Sequence, residues 1–119
     1  MYEYTVTVKR VVDGDTVDVS VDLGFEIHTI KRVRLLGINA PESRTTNKAE
    51  KQLGMAAKYR LMELVDSAVE IRLQSQGKGK FGRVLGHLSI NCSDGSGWIN
   101  LAEKMIEENH GVPYDGGKR

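Results

Sequence analysis

Cysteine is almost missing from this chain: Cys92 is the single one among 119 residues. No intramolecular disulfide can form, and zinc sites built from several cysteines are excluded. Histidine is nearly as scarce, and His28, His87 and His110 stand far apart with no metal-ligand spacing. No apolar run approaches the ~20 residues that a helix needs to cross a bilayer, which excludes a membrane-spanning role. A charge of one sign is lacking too. Lys and Arg number 17 against 16 Asp and Glu, for a formal net charge of +1. Nucleic acid therefore cannot be held by bulk cationic charge, and any anion site must arise from local placement. Repeats, low-complexity tracts and a charged-then-apolar leader are also absent. The expectation is an intracellular protein, unless a secretion leader has been removed.

What is present is the composition of a soluble globular chain, 39% hydrophobic and 28% charged. Its length suits one domain over residues 1–119, with 109–119 as an extended C-terminal tail. Tyr2, Tyr4, Val6 and Val8 alternate with polar residues, as do Val17, Val19 and Val21, the period-two signature of half-buried strands. Asp13-Gly14 between them is a tight-turn signal. A third strand is expected over Ile30 to Leu36, and Pro41 marks where its tail leaves the sheet. Asn47 and Glu50 have the spacing of a capping box. Ala49, Leu53, Ala56, Ala57, Leu61, Leu64 and Val65 then recur as one helical stripe. Val69 to Gln74 reads as a fourth strand, Ser75 to Gly82 as too glycine-rich to be regular, and Arg83 to Ile90 as a fifth strand. Ile99, Ala102 and Ile106 mark a short second helix. The order is that of a β-rich α+β fold, a five-stranded Greek-key barrel of the oligonucleotide-binding (OB) type with a helix between strands 3 and 4 and a short helix after strand 5. An open α+β sheet is the competing arrangement.

Three clusters fall at strand ends or in loops, where function usually sits. They are Asp13-Gly14-Asp15-Thr16, Arg34 through Glu42 (RLLGINAPE), and Lys80-Phe81-Gly82-Arg83. In order, with a helix correctly inserted, they resemble the staphylococcal nuclease (thermonuclease) family from about Val11 to Tyr114. Phosphodiester hydrolysis needs stabilisation of extra negative charge at phosphorus, an activated water and aligned oxygens. A hard divalent cation takes oxygen ligands, arginine forks suit phosphate oxygens, and a carboxylate can accept a proton from water. Asp15, Arg34, Arg83 and Glu42 make up that set.

The resemblance implies the same roles. Asp15 ligates one calcium ion, with the backbone carbonyl of Ala40 as a further ligand. Arg34 and Arg83 contact the phosphate, and Glu42 activates water. Lys80 and Phe81 lie near the bound nucleotide, and Tyr114 replaces a nucleotide-facing tyrosine. It further implies cleavage of DNA and RNA, single-stranded or unwound, that leaves 3′-phosphate ends; a monomer is the expected state. One position departs from the pattern: Asn39 stands where the family has a second carboxylate ligand, so a dipole replaces a charge in the metal set. The chain also stops soon after Tyr114, without the C-terminal helix of longer members.

Each cluster alone has a plain structural reading. Asp13-Gly14 is a favoured hairpin dipeptide, Arg34 can be a solvated strand residue beside Lys31 and Arg32, and Pro41-Glu42 can simply leave a strand. Arg83 can be a charge at a strand start. Their joint occurrence in order favours function. Lys78 and Lys80 read as a solvated loop, Met55 and Met62 as helix packing, Trp98 as an anchor of the second helix, and Cys92 as a packing residue. The expected activity is a calcium-dependent nuclease of low sequence specificity. The rival is a catalytically silent barrel, its metal site weakened by Asn39, that binds single-stranded nucleic acid or a protein segment.

Overall fold

The alternating valines do form a sheet, and the sheet closes. The computed structural model describes residues 2–78 and 83–114. Its elements run β1 (Tyr2–Asp13), β2 (Thr16–Asp22), β3 (His28–Leu35), β4 (Gly37–Asn39), α1 (Lys48–Asp66), β5 (Ala68–Lys78), β6 (Val84–Cys92), β7 (Trp98–Asn100), α2 (Leu101–Glu107) and β8 (Val112–Tyr114). β1 lies antiparallel between β2 and β5, β2 pairs with β3, and β5 with β6. A short parallel pairing of β3 with β6, from Val33↔Val84 to Leu35↔Gly86, joins the two ends. The result is a closed five-stranded mixed barrel with two helices, and not an open sheet. Closure removes the exposed strand edges that so small a sheet would otherwise carry.

Period-two burial fills the barrel. Val17, Val19, Val21, Val33, Leu35, Ile71, Leu73, Leu88 and Ile90 point inward. Ala57, Leu61 and Leu64 of α1 pack on this core together with Leu101, Ala102 and Met105 of α2. The Asn47 side chain caps α1 by accepting the Glu50 amide at 3.0 Å. Only half of a capping box forms, because the Asn47 amide donates to Thr45 Oγ1 instead.

Several sequence expectations need correction. The inward face of α1 is Gly54-Ala57-Leu61-Leu64, and Leu53 is 62% exposed, because Gly54 takes the contact that the stripe gave to its neighbour. Residues 75–78 are regular after all: Ser75, Gly77 and Lys78 pair with Gly86, Leu85 and Val84. A bulge between Ser75 and Gly77 absorbs the extra residue. Ile99 belongs to β7, since Asn100 caps α2 through the Glu103 amide and so starts that helix two residues later. Trp98 is not the helix anchor but sits on β7 beneath the Arg72 guanidinium, 4.3 Å from its ring centre. Gly37–Asn39 leave the barrel yet remain paired, with β8. At the β2–β3 tip, Gly24, Phe25 and Glu26 all have left-handed backbone, and Phe25 is 96% exposed.

α1 and α2 are tied by Arg60, whose Nε and Nη2 donate to the two Glu108 carboxylate oxygens. These bonds hold the Glu108 carboxyl below its ordinary value of 4.5, against the opposing effect of burial. A carboxyl that is more acidic when folded contributes its full stability above 4.5 and loses it as pH falls through the lowered folded value. Wild type should exceed Glu108→Gln by about 1 kcal/mol at neutral pH. The gap should narrow as urea midpoints are followed from neutral pH to below 4.5. In the core, Leu61→Ala should cost about 2–5 kcal/mol, whereas Leu53→Ala should stay within about 0.5 kcal/mol.

Candidate functional site

The site begins at the β1–β2 turn. Asp13 pairs with Thr16, leaving Gly14 and Asp15 at the centre, and neither has left-handed backbone. Glycine is needed at 14 for space and not for conformation. A β-carbon there would lie 2.7 Å from Ala57 Cβ of α1 and 3.1 Å from Ala40 Cβ. The turn thus inserts between the helix and the segment that follows β4.

That insertion carries Asp15 inward, to 7% exposure. Its Oδ1 accepts from Thr16 Oγ1 at 2.9 Å, and its Oδ2 accepts from the Ala40 N–H at 2.8 Å. Arg34 Nη2 approaches the same Oδ2 at 3.5 Å. The Asp15 carbonyl accepts from the Leu35 N–H at 2.8 Å, which locks the turn to the end of β3.

Arg34 is held as firmly. Gly37, at φ +88°, turns the chain sharply after β3. The Ile38 carbonyl comes back so that Arg34 Nη1 donates to both Leu35 O and Ile38 O, each at 2.8 Å. Arg34 Nη2 also lies 3.5 Å from Asn39 Oδ1, and the Tyr114 ring centre is 5.8 Å from the guanidinium carbon. β4–β8 pairing supplies that neighbour, since Gly37 is the register partner of Tyr114. The solvated-strand reading fits Arg32, which pairs with Asp18 and has a 44% exposed side chain, but not Arg34, at 14%.

Glu42 lies exposed on the loop after β4. Ala40 is anchored two residues before it. Directly after it, buried Ser43 donates its N–H to Asp13 Oδ1 at 3.1 Å and its hydroxyl to the same oxygen. Arg83 is half-buried immediately before β6, whose next two residues pair with Val33 and Arg34, so the two arginines start from adjacent strands. Lys80 and Phe81 lie outside the described residues. Asp15, Arg34, Asn39, Ala40 and Tyr114 are therefore linked by direct contacts, Glu42 stands between two anchors, and Arg83 is brought near by register.

Three participants escaped the sequence reading. Asp13 counted only as a turn residue, and Ser43 gave no signal. Gly54 was legible as an isolated glycine in a helical pattern, which often marks a close approach. A β-carbon at Gly54 would overlap the Glu42 carbonyl and lie 2.6 Å from the Ser43 nitrogen.

As a donor set, Asp15, Asn39 and Ala40 offer carboxylate, amide and carbonyl oxygens, the chemistry that a hard cation takes. Among the described residues, no three His, Cys, Asp or Glu side chains gather to hold a metal. A cation held by Asp15, Asn39 and Ala40 would have one carboxylate and two neutral oxygens. No described helix is long and apolar enough to cross a membrane.

The sequence profile of the staphylococcal nuclease homologue family matches residues 32–114. Thermonuclease of Staphylococcus intermedius is 34% identical over 82 residues, covering 68% of this chain and 46% of that protein, so the chain spans about half the length of this relative. The Asp13–Thr16 turn precedes the profile match and joins it through the bond from Ala40 to Asp15. With both arginines, the Glu42 loop, α1 and the strands that close the barrel inside the matched segment, the chain belongs to the staphylococcal nuclease homologue family.

Proposed function

We propose that this chain is a calcium-dependent nuclease that hydrolyses phosphodiester bonds of DNA and RNA with low sequence specificity. One observation carries the reading. Asp15 Oδ2 receives both the Ala40 amide and the approach of Arg34, so residues from three separate stretches of sequence meet at one buried carboxylate oxygen.

Asp15, the Asn39 side chain and the Ala40 carbonyl would hold the calcium ion, whose donor preference they match. When bound, the ion supplies positive charge that polarises the phosphoryl group. Arg34 has Nη1 committed to two carbonyls and Nη2 facing Asp15 and Asn39 at 3.5 Å, so a phosphate oxygen would be met by Nε and by the outer side of Nη2. Arg83 supplies the second fork, and the two stabilise negative charge as it develops around phosphorus. Glu42 accepts a proton from water. The water oxygen attacks phosphorus as the P–O5′ bond breaks, and O5′ takes a proton from solvent, which leaves a 3′-phosphate and a 5′-hydroxyl. Tyr114, together with Lys80 and Phe81, contacts the nucleotide. These contacts address phosphate and ring faces rather than base edges, which accounts for the low specificity and favours single-stranded or unwound substrate. The working unit is a monomer.

Plasmid DNA and RNA should be degraded with calcium and remain intact with chelator. Absence of calcium-dependent cleavage across a broad concentration range would hand the case to a silent binding domain. Glu42→Gln should lower turnover by about 10²–10⁴. Arg83→Ala should lower it by about 10² or more, with unchanged circular dichroism in both variants. Wild-type turnover in both variants rejects the site. Asn39→Asp adds a full charge to the metal set and should tighten calcium binding about tenfold or more by calorimetric titration. An unchanged affinity would show that the amide is no handicap.

A further inference from the structure

The loop that carries Glu42 has no ladder of its own, yet it is gripped on two sides. The two aspartates flanking Gly14 each take a backbone N–H from it: Asp15 that of Ala40, and Asp13 that of Ser43. Pro41 and Glu42 are the residues in between. The register shift between Val11 and Asp13 in β1 accompanies this arrangement, as bulges beside functional sites commonly re-aim a side chain. Asp13 Oδ1 also receives the Ser43 hydroxyl, which lies 3.4 Å from the Val12 carbonyl as well. Hydrogen bonds to an ionised carboxylate are among the stronger ones, and Ser43 is only 2% exposed. From the other side α1 presses on the same peptide, at Gly54, where any side chain would collide with the Glu42 carbonyl.

We propose that Asp13, acting through Ser43 and backed by Gly54, is the positioning residue that holds Glu42 toward the attacking water. The inference rests on the nuclease reading above and adds a residue to it. Both bonds from Ser43 fall on one carboxylate oxygen of Asp13, Oδ1. A base displaced by even a fraction of an ångström loses rate while substrate binding is kept. The loss therefore belongs in kcat and not in KM or calcium demand.

The test is a cycle of Asp13→Ala, Asp13→Asn and Glu42→Gln in the full chain, read by kcat, KM for DNA, half-saturating calcium and Ser43 amide hydrogen exchange. Asp13→Ala should lower kcat about tenfold or more, with KM and half-saturating calcium within about twofold. Asp13→Asn keeps an acceptor oxygen and should recover kcat to within about threefold of wild type. In the Glu42→Gln background, Asp13→Ala should cost nothing further, because the group that it positions is already gone. Ser43 amide exchange should accelerate about tenfold or more in Asp13→Ala and stay near wild type in Asp13→Asn. Multiplicative losses in the double variant, a parallel rise in calcium demand, or unchanged Ser43 exchange would overturn the role of Asp13 and leave the nuclease reading standing. Wild-type turnover in Glu42→Gln would remove Glu42 as the base and with it the role of Asp13, whereas no calcium-dependent cleavage by the wild-type chain would bring down the nuclease reading. Should Asp13→Ala not fold, Ser43→Ala takes its place in the cycle. It removes only the hydroxyl bond, with an expected kcat loss of about threefold, and a loss that persists undiminished in Glu42→Gln overturns the proposal.

Discussion

A carboxylate taken out of water has to be met by donors, and Asp15 is met by donors from three directions. Its own neighbour Thr16, the Ala40 amide beyond β4 and the Arg34 guanidinium on β3 all converge on it. None of these segments can shift without leaving a buried charge short of a partner, a cost far larger than an exposed ion pair would exact. Arg34 is fixed by the same logic in reverse, since the Leu35 and Ile38 carbonyls take its Nη1 hydrogens. The barrel supplies strand ends, and the buried charge decides how they meet.

Close approach does the rest. Gly14 lets the β1–β2 turn slide between α1 and Ala40, and Gly54 lets α1 rest on the Glu42–Ser43 peptide. Both glycines occupy ordinary backbone geometry, in contrast to Gly37, which makes a turn that few other residues accept. Two kinds of glycine thus serve one site: one kind removes a side chain from a crowded contact, and the other bends the chain.

Much of this was legible in the sequence, because strands with one buried face and helices with one buried stripe write their periods into the order of residues. The valines of β2 and the Ala57-Leu61-Leu64 row of α1 needed nothing more. Other features depended on partners distant in sequence. Asp13 looked like a turn residue because its partner Ser43 lies 30 positions away. The strand character of Ser75–Lys78 came from β6 pairing, which outweighed the local preference of glycine-rich sequence. Arg32 and Arg34 are alike in the sequence, and the partners that folding brings to Arg34, the Ile38 carbonyl and Asp15 among them, separate the anchored one from the solvated one. Leu53 misled because a helix places adjacent residues about 100° apart, so an apolar neighbour of the true contact turns outward.

The small β4–β8 sheet bears on how the molecule comes into being. Asn39 pairs with Val112, and the ring of Tyr114 lies by Arg34, so the wall beside the early-made arginine is supplied by one of the last described segments. On a ribosome the barrel strands and the first helix emerge well before that wall exists. Pairings between such remote stretches are reached late and slowly. The pocket around Arg34 therefore cannot be completed until β8 has been made, after every barrel strand and both helices.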